Sequence, residues 1–201
     1  MESDILMTKL NRINSAVSID TLLENFKSDS GGDRDVNFLK FLIDNSLLLH
    51  EEVILKKTIT DFRESFFKKK YTKSNSESTR HYLCRALIQE EFKLLGVNTL
   101  NWVEAGNINI LRSNSNYDIA AEDLSFIADV GLTPARNFFR GLTDLRVKLY
   151  LVTNYFDDYI DDIIFEVFKR GDDNRFIDAV RDYEEGYKLY TPISEENMIN
   201  L

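Results

Sequence analysis

The feature that most constrains the fold is an alternation of helical and strand-like segments that begins near residue 79. His81–Leu95 carries apolar residues at helical spacing, and Gly96 ends this helix. Short strand-like runs follow, then a helix that begins at Pro134, and then Arg146–Thr153, the most strand-like segment of the chain. This order of segments predicts an α/β fold in which helices pack on a mixed sheet.

The individual elements follow from the same patterns. We predict strands at Thr99–Glu104 and Ile108–Leu111, which form a hairpin or one bulged strand, and further strands at Tyr117–Glu122 and Leu124–Val130. The helix at Pro134 is predicted over Thr133–Leu142, and two acidic helices, at about 156–170 and 173–188, close the chain.

The chain before residue 74 differs from the rest, because its apolar residues recur at helical spacing in several segments. The serine-rich stretch Ser74–Thr79, which follows a lysine cluster at Lys68–Lys73, has the composition of a linker. The sequence therefore predicts an N-terminal helical region over 1–73 and an α/β core with C-terminal acidic helices over 74–201.

Charge and composition exclude several classes of protein. The chain has 34 acidic and 25 basic residues, a net charge of −9, and all of the excess lies in residues 91–201. This balance argues against a strongly basic nucleic-acid-binding domain. The single cysteine, Cys84, excludes a disulfide framework. No apolar run reaches the ~18–20 residues of a membrane span, so we expect a cytoplasmic protein with no membrane partner.

Two aspartates are the best candidates for a functional site. Side chains alternate along Leu124–Val130, so Ile127 and Asp129 face one way and their neighbours face the other. Asp129 then lies on a strand too apolar to be exposed, where a carboxylate must be desolvated, paired or bound to a metal. Asp118 precedes it by eleven positions, a spacing that fits a tight β-hairpin or two adjacent strands. Carboxylates held close together favour a hard divalent cation.

These residues resemble the PD-(D/E)XK nuclease superfamily, which has the restriction-endonuclease-like fold. The resemblance is carried by Thr79–Tyr82, by Tyr117–Ile119, by Ile127–Gly131 and by the strand Val147–Thr153, and it covers residues 79–153. It implies an αβββαβ core, flanked here by N-terminal and C-terminal helices.

The resemblance also implies the roles of the site residues. Asp118 takes the place of the first metal ligand and Asp129 that of the second, Glu104 or Glu91 could supply a third, and the cofactor is Mg²⁺ or Mn²⁺. The family motif continues with a lysine, where this chain has Gly131. Three residues are alternatives for the missing cation: Lys148, Arg136 and Arg140. We interpret His81 as a residue of the helix start rather than as a catalytic group.

The function that the resemblance implies is hydrolysis of phosphodiester bonds in DNA, or less readily RNA, in a prokaryotic defence or mobile-element context. The missing lysine and the acidic second half leave an alternative of another class. A nuclease fold without catalysis could act as a binding or assembly module, and the apolar N-terminal helices would then contact a protein partner or a second copy of the chain.

Overall fold

The structure is a computed structural model, and it describes residues 1–13, 32–105, 117–131 and 133–190. In these residues a seven-stranded mixed sheet lies between two layers of helices. The protein is therefore of the α/β class, as predicted.

Seven helices lie in the described part of the chain: α1 (Glu2–Lys9), α2 (Gly32–Asp44), α3 (Glu64–Phe67), α4 (Thr79–Leu94), α5 (Trp102–Ala105), α6 (Ala135–Gly141) and α7 (Asp173–Tyr190). The strands are β1 (Asn11–Arg12), β2 (Leu48–Lys56), β3 (Thr99–Asn101), β4 (Ile119–Ala121), β5 (Phe126–Val130), β6 (Leu149–Thr153) and β7 (Asp162–Arg170).

The strands lie in the order β1-β2-β7-β6-β5-β4-β3. The pair β5–β6 is parallel and the other neighbouring pairs are antiparallel. A parallel pair needs a crossover connection, and α6 provides it. The chain from α4 to β6 therefore runs helix, three antiparallel strands, helix, strand, with the short α5 after the first strand.

Each face of the sheet has its own apolar core. One face packs against α1 and α4, through Leu6, Leu87 and Phe92 among others. The other packs against α2, α6 and α7, for example through Leu39 and Phe138. On β5 the side chains alternate as predicted: Phe126, Ala128 and Val130 belong to the first core, and Ile127 belongs to the second.

Two predictions, one for the segment 156–170 and one for the region 1–73, differ from the structure. The segment 156–170 was predicted as a helix, but it contains β7, in which Ile163, Phe165 and Val167 alternate towards one core. The acidic pairs Asp157-Asp158 and Asp161-Asp162 follow helical spacing, and this spacing obscured the strand-like alternation of the apolar residues. The region 1–73 was predicted as an N-terminal helical region, and it contains α1, α2 and α3 but also supplies β1 and β2 to the sheet.

The predicted hairpin after residue 99 differs as well. Of the predicted strand Thr99–Glu104, the part Thr99–Asn101 is a strand, and the chain then continues directly into α5. Ile108–Leu111 lies outside the described residues. In the described parts of the chain, no helix is long and apolar enough to span a bilayer.

Candidate functional site

Asp118 and Asp129 lie side by side where β4 begins and β5 ends. Ile119 pairs with Ala128, so the next antiparallel position brings the two aspartates opposite each other. The main-chain N–H of Asp118 donates to Oδ1 of Asp129 at 3.2 Å, and the N–H of Val130 donates to Oδ2 of Asp118 at 2.8 Å. The two carboxylates are therefore fixed to each other's strands by main-chain hydrogen bonds.

The environment of Asp129 favours its protonated form. Burial raises the pKa of Asp129, the nearby charge of Asp118 raises it further, and the two effects outweigh a hydrogen bond from Tyr150, so that the pKa reaches about 7. The Tyr150 hydroxyl donates to Oδ2 at 2.6 Å from inside the core. When both carboxyl groups are ionised they repel each other, and a bound cation would relieve this repulsion.

Asp118 also contacts His81, which lies in the first turn of α4. Nε2 of His81 is 3.0 Å from Oδ2 of Asp118, and Nδ1 is 2.7 Å from Oε1 of Glu77. Burial alone would lower the pKa of His81, but its two carboxylate partners raise it to about 9. An imidazolium therefore bridges the two acids, although a cation at a helix N-terminus is otherwise unfavourable.

Glu77 connects His81 to a buried polar network. The fully buried guanidinium of Arg85 donates to both oxygens of Glu77, at 2.9 and 3.0 Å, and to Gln89 at 3.1 Å. Burial would raise the pKa of Glu77, but hydrogen bonds from His81 and Arg85 lower it to about 2. Glu77 thus stays ionised and holds His81 against Asp118.

Gly131 follows Asp129 and Val130, at the position where the nuclease resemblance leads us to expect a lysine. Its φ is +89°, and a β-carbon there would lie 2.5 Å from Cζ of Tyr155. Contacts this short do not occur, so a side chain at position 131 requires the Tyr155 ring to move. The local backbone and Tyr155 together account for glycine at this position.

A pocket of about 400 Å³ opens beside these residues. Its walls are His81, Asp118, Trp102, Tyr155 and the segment Ser76–Ser78. The serine-rich stretch predicted as a linker is thus part of the site. Ser78 caps α4 by accepting from the N–H of His81.

The two glutamates predicted as further metal ligands have other partners. Glu91 accepts hydrogen bonds from the main-chain N–H groups of Thr58 and Ile59, at 2.5 and 2.7 Å, and so anchors the chain after β2. Glu104 accepts from the N–H of Thr72 at 2.9 Å and from Asn101 at 2.6 Å. Neither residue lines the pocket with Asp118.

The predicted cations are not brought to the site either. Lys148 precedes β6, and its N–H donates to the carbonyl oxygen of Ser125. It is thus about 13 Å along the strand from Val152, the partner of Asp129. Arg136 is exposed on α6 and lies outside the pocket walls, and Arg140 pairs with Glu184 at 2.5 Å.

Sequence reasoning overlooked four residues of the site: Glu77, Tyr150, Trp102 and Tyr155. One signal could have revealed the first, because Glu77, His81 and Arg85 recur every four residues, on one side of a helix and its N-terminal extension. The other three come from separate elements. Their approach to Asp118 and Asp129 depends on tertiary packing that no local pattern encodes.

Asp118 and Asp129 are the candidate ligands for a divalent cation. No group of three or more metal-binding side chains is gathered within the described residues. Asp118 and Asp129 fit Mg²⁺ in kind, since this ion is commonly held by one or two carboxylates together with waters and substrate phosphates. The buried Thr133 hydroxyl lies near Asp129 but makes no hydrogen bond of ordinary geometry to a described residue, so it could serve a bound ion or water.

Comparisons with protein-family models, with curated proteins and with solved structures found no match to the chain.

Proposed function

We propose that the protein is a Mg²⁺-dependent nuclease with a restriction-endonuclease-like core. The observation that carries the proposal is the pair Asp118 and Asp129, locked together at the ends of adjacent strands, with Asp118 in the wall of a pocket. The order of elements from α4 to β6 supports the proposed core, since it is the order that the resemblance implies. The setting in prokaryotic defence or in a mobile element depends on the resemblance alone.

In the proposed reaction, the described residues would have separate roles. Bound Mg²⁺ (or Mn²⁺) would neutralise phosphate charge and activate water. Asp118 and Asp129 would hold the ion, and Oδ1 of Asp118 accepts no hydrogen bond from the described residues. His81 orients Asp118 and places a positive charge beside the pocket, where the main chain at Gly131 has no room for a motif lysine.

The test is a cleavage assay with the purified chain. Plasmid, single-stranded DNA and RNA are incubated with Mg²⁺, with Mn²⁺ and with chelator, and products are resolved on gels. We expect metal-dependent cleavage that the Asp118→Ala/Asp129→Ala double variant loses. Asp178→Ala, at an exposed position of α7, is the matched control. Absence of cleavage of every substrate, or equal cleavage by the double variant, would refute the proposal.

One observation favours the alternative of a binding or assembly module. Both oxygens of Asp129 already accept hydrogen bonds, from Asp118 and Tyr150, in a carboxyl that is almost fully buried. A site that has lost catalysis could retain this arrangement for packing alone. The exposed Phe41 on α2 is one apolar residue that a partner protein or a second copy could cover. Such a module predicts an inactive protein whose mass in light scattering exceeds that of a monomer.

A further inference from the structure

Two aromatic side chains lie in the walls of the pocket that contains Asp118. Trp102 comes from α5 and Tyr155 from the loop after β6. The pocket volume, about 400 Å³, lies within the usual range for small-ligand sites. Exposed aromatic rings provide surfaces on which nucleobases stack.

Tyr155 is held in place before any ligand arrives. Its ring covers Gly131, meets the His81 ring edge-on at 6.0 Å and lies 5.7 Å from the Arg80 guanidinium. The side chain is nevertheless 41 % exposed, so part of the ring surface is free for contact. A ring that is already ordered loses little conformational freedom when a base stacks on it.

The net charge of the chain favours binding by base stacking over binding through the phosphate backbone of a duplex. Duplex binding depends on lysines and arginines that neutralise many phosphates, whereas this chain has a net charge of −9. The lysine cluster near the pocket is largely paired: Lys68 and Lys73 with Glu64, and Lys70 with Glu90. Base stacking contributes affinity that does not come from these charges, and it requires bases that are free of a complementary strand.

We propose that this pocket binds an unpaired nucleotide, with Trp102 and Tyr155 as its base-stacking surfaces, and that the substrate class is single-stranded nucleic acid. This inference rests on the proposed function, because it assigns a substrate class to the same site. Its test below measures binding rather than cleavage, so the two proposals can fail separately.

The chain itself provides the probe, since Trp102 is its single tryptophan. The full-length protein is titrated with oligothymidylate, with oligouridylate and with a duplex of the same length, in buffer with Ca²⁺ in place of Mg²⁺. Gels of the same samples show that the strands stay intact. We expect both single strands to quench Trp102 fluorescence and the duplex to bind at least about tenfold more weakly.

Variants of Tyr155 separate stacking from packing. Tyr155→Leu keeps an apolar side chain over Gly131 but removes the aromatic face, and we expect single-strand affinity to fall roughly five- to hundredfold. Tyr155→Phe should retain the affinity. Tyr159→Leu is the matched control, because Tyr159 is almost fully exposed and lies outside the pocket walls. Thermal unfolding verifies that each variant is folded.

Three results would overturn the inference: no fluorescence change with either single strand, duplex binding as tight as single-strand binding, or unchanged affinity in folded Tyr155→Leu. If single strands bind as expected but no substrate is cut with Mg²⁺, the nuclease proposal fails and the stacking site remains. If the protein cuts duplex and its single-strand binding ignores Tyr155, the stacking site fails and the nuclease proposal remains.

Discussion

At the scale of the residue, Asp129 is a carboxyl group that the fold retains at a cost in stability. It is almost completely buried, and its hydrogen bonds from Asp118 and Tyr150 do not offset burial and the charge of Asp118. The presence of such a destabilising residue in the core is explained if its carboxyl group binds a ligand. Functional sites are often less stable than their scaffolds allow.

The stability of the protein should therefore depend on the ionisation of Asp129. Its pKa rises from 3.8 to about 7 on folding, so the folded state binds the proton more tightly than the unfolded state. The free energy of unfolding then decreases as the pH rises through this interval. Asp129→Asn removes the charge, and above pH ~7 it should stabilise the protein by up to roughly 4 kcal/mol.

Urea unfolding across this pH range measures the effect. The advantage of Asp129→Asn should grow with pH and become constant above about pH 7, where the carboxyl of the wild-type protein is ionised. Asp178→Asn, at an exposed site on α7, should follow the wild-type curve. An Asn variant that is less stable than wild type at alkaline pH would mean that the charged carboxylate is compensated in the fold.

At the scale of the element, the end of β5 determines which residues the site can contain. The N–H of Gly131 donates to the carbonyl oxygen of Thr153 at 2.7 Å, and its positive φ turns the chain away from the sheet. This turn brings position 131 under the Tyr155 ring. The glycine at position 131 is thus explained by the local backbone and by the Tyr155 ring.

Two glycines allow this steric argument to be tested. Gly96 and Gly131 have similar positive φ values, +81° and +89°, but a β-carbon at Gly96 meets nothing within 4 Å. Gly96→Ala should cost only the backbone strain, about 1 kcal/mol. Gly131→Ala should cost roughly 2–5 kcal/mol, because the Tyr155 ring must also move.

Thermal unfolding of the two variants gives the comparison, and Gly131→Lys extends it. We expect the lysine variant to be destabilised like Gly131→Ala, with no gain in cleavage. An equal loss of stability in Gly96→Ala and Gly131→Ala would show that the Tyr155 ring moves aside without a measurable cost. A Gly131→Lys protein with increased metal-dependent cleavage would show that the position does accept the motif side chain.

The elements that could be predicted from the sequence are those with one clear period. β5 and β6 are short apolar runs, and α4 has apolar residues at helical spacing and a glycine stop, so their type was predicted correctly. β7 was not, because its acidic residues follow helical spacing while its apolar residues alternate. The approach of Asp118 to Asp129 follows from pairing of adjacent strands, whereas the bridge by His81 depends on how α4 packs across the sheet.

At the scale of the whole molecule, the region predicted as a separate N-terminal part is joined to the sheet. β2 pairs with β7 at nine positions, from Leu48 opposite Arg170 to Lys56 opposite Asp162. Val53 and Leu55 of β2 lie in the same core as Phe165 of β7 and Phe92 of α4. Removal of residues 1–73 would expose this core and leave β7 as an open edge that favours aggregation.

We therefore expect residues 74–201 not to fold when expressed alone, although they contain all the proposed site residues. The full-length protein should unfold in one cooperative transition, since one core spans both regions. Circular dichroism and size-exclusion chromatography of the fragment provide the measurement. Co-expression with residues 1–73 is the control, and it should restore a soluble complex through β2 and β7. A fragment 74–201 that is monomeric and unfolds cooperatively would contradict this, because the nine-position strand pairing would then be dispensable to the sheet that holds Asp118 and Asp129.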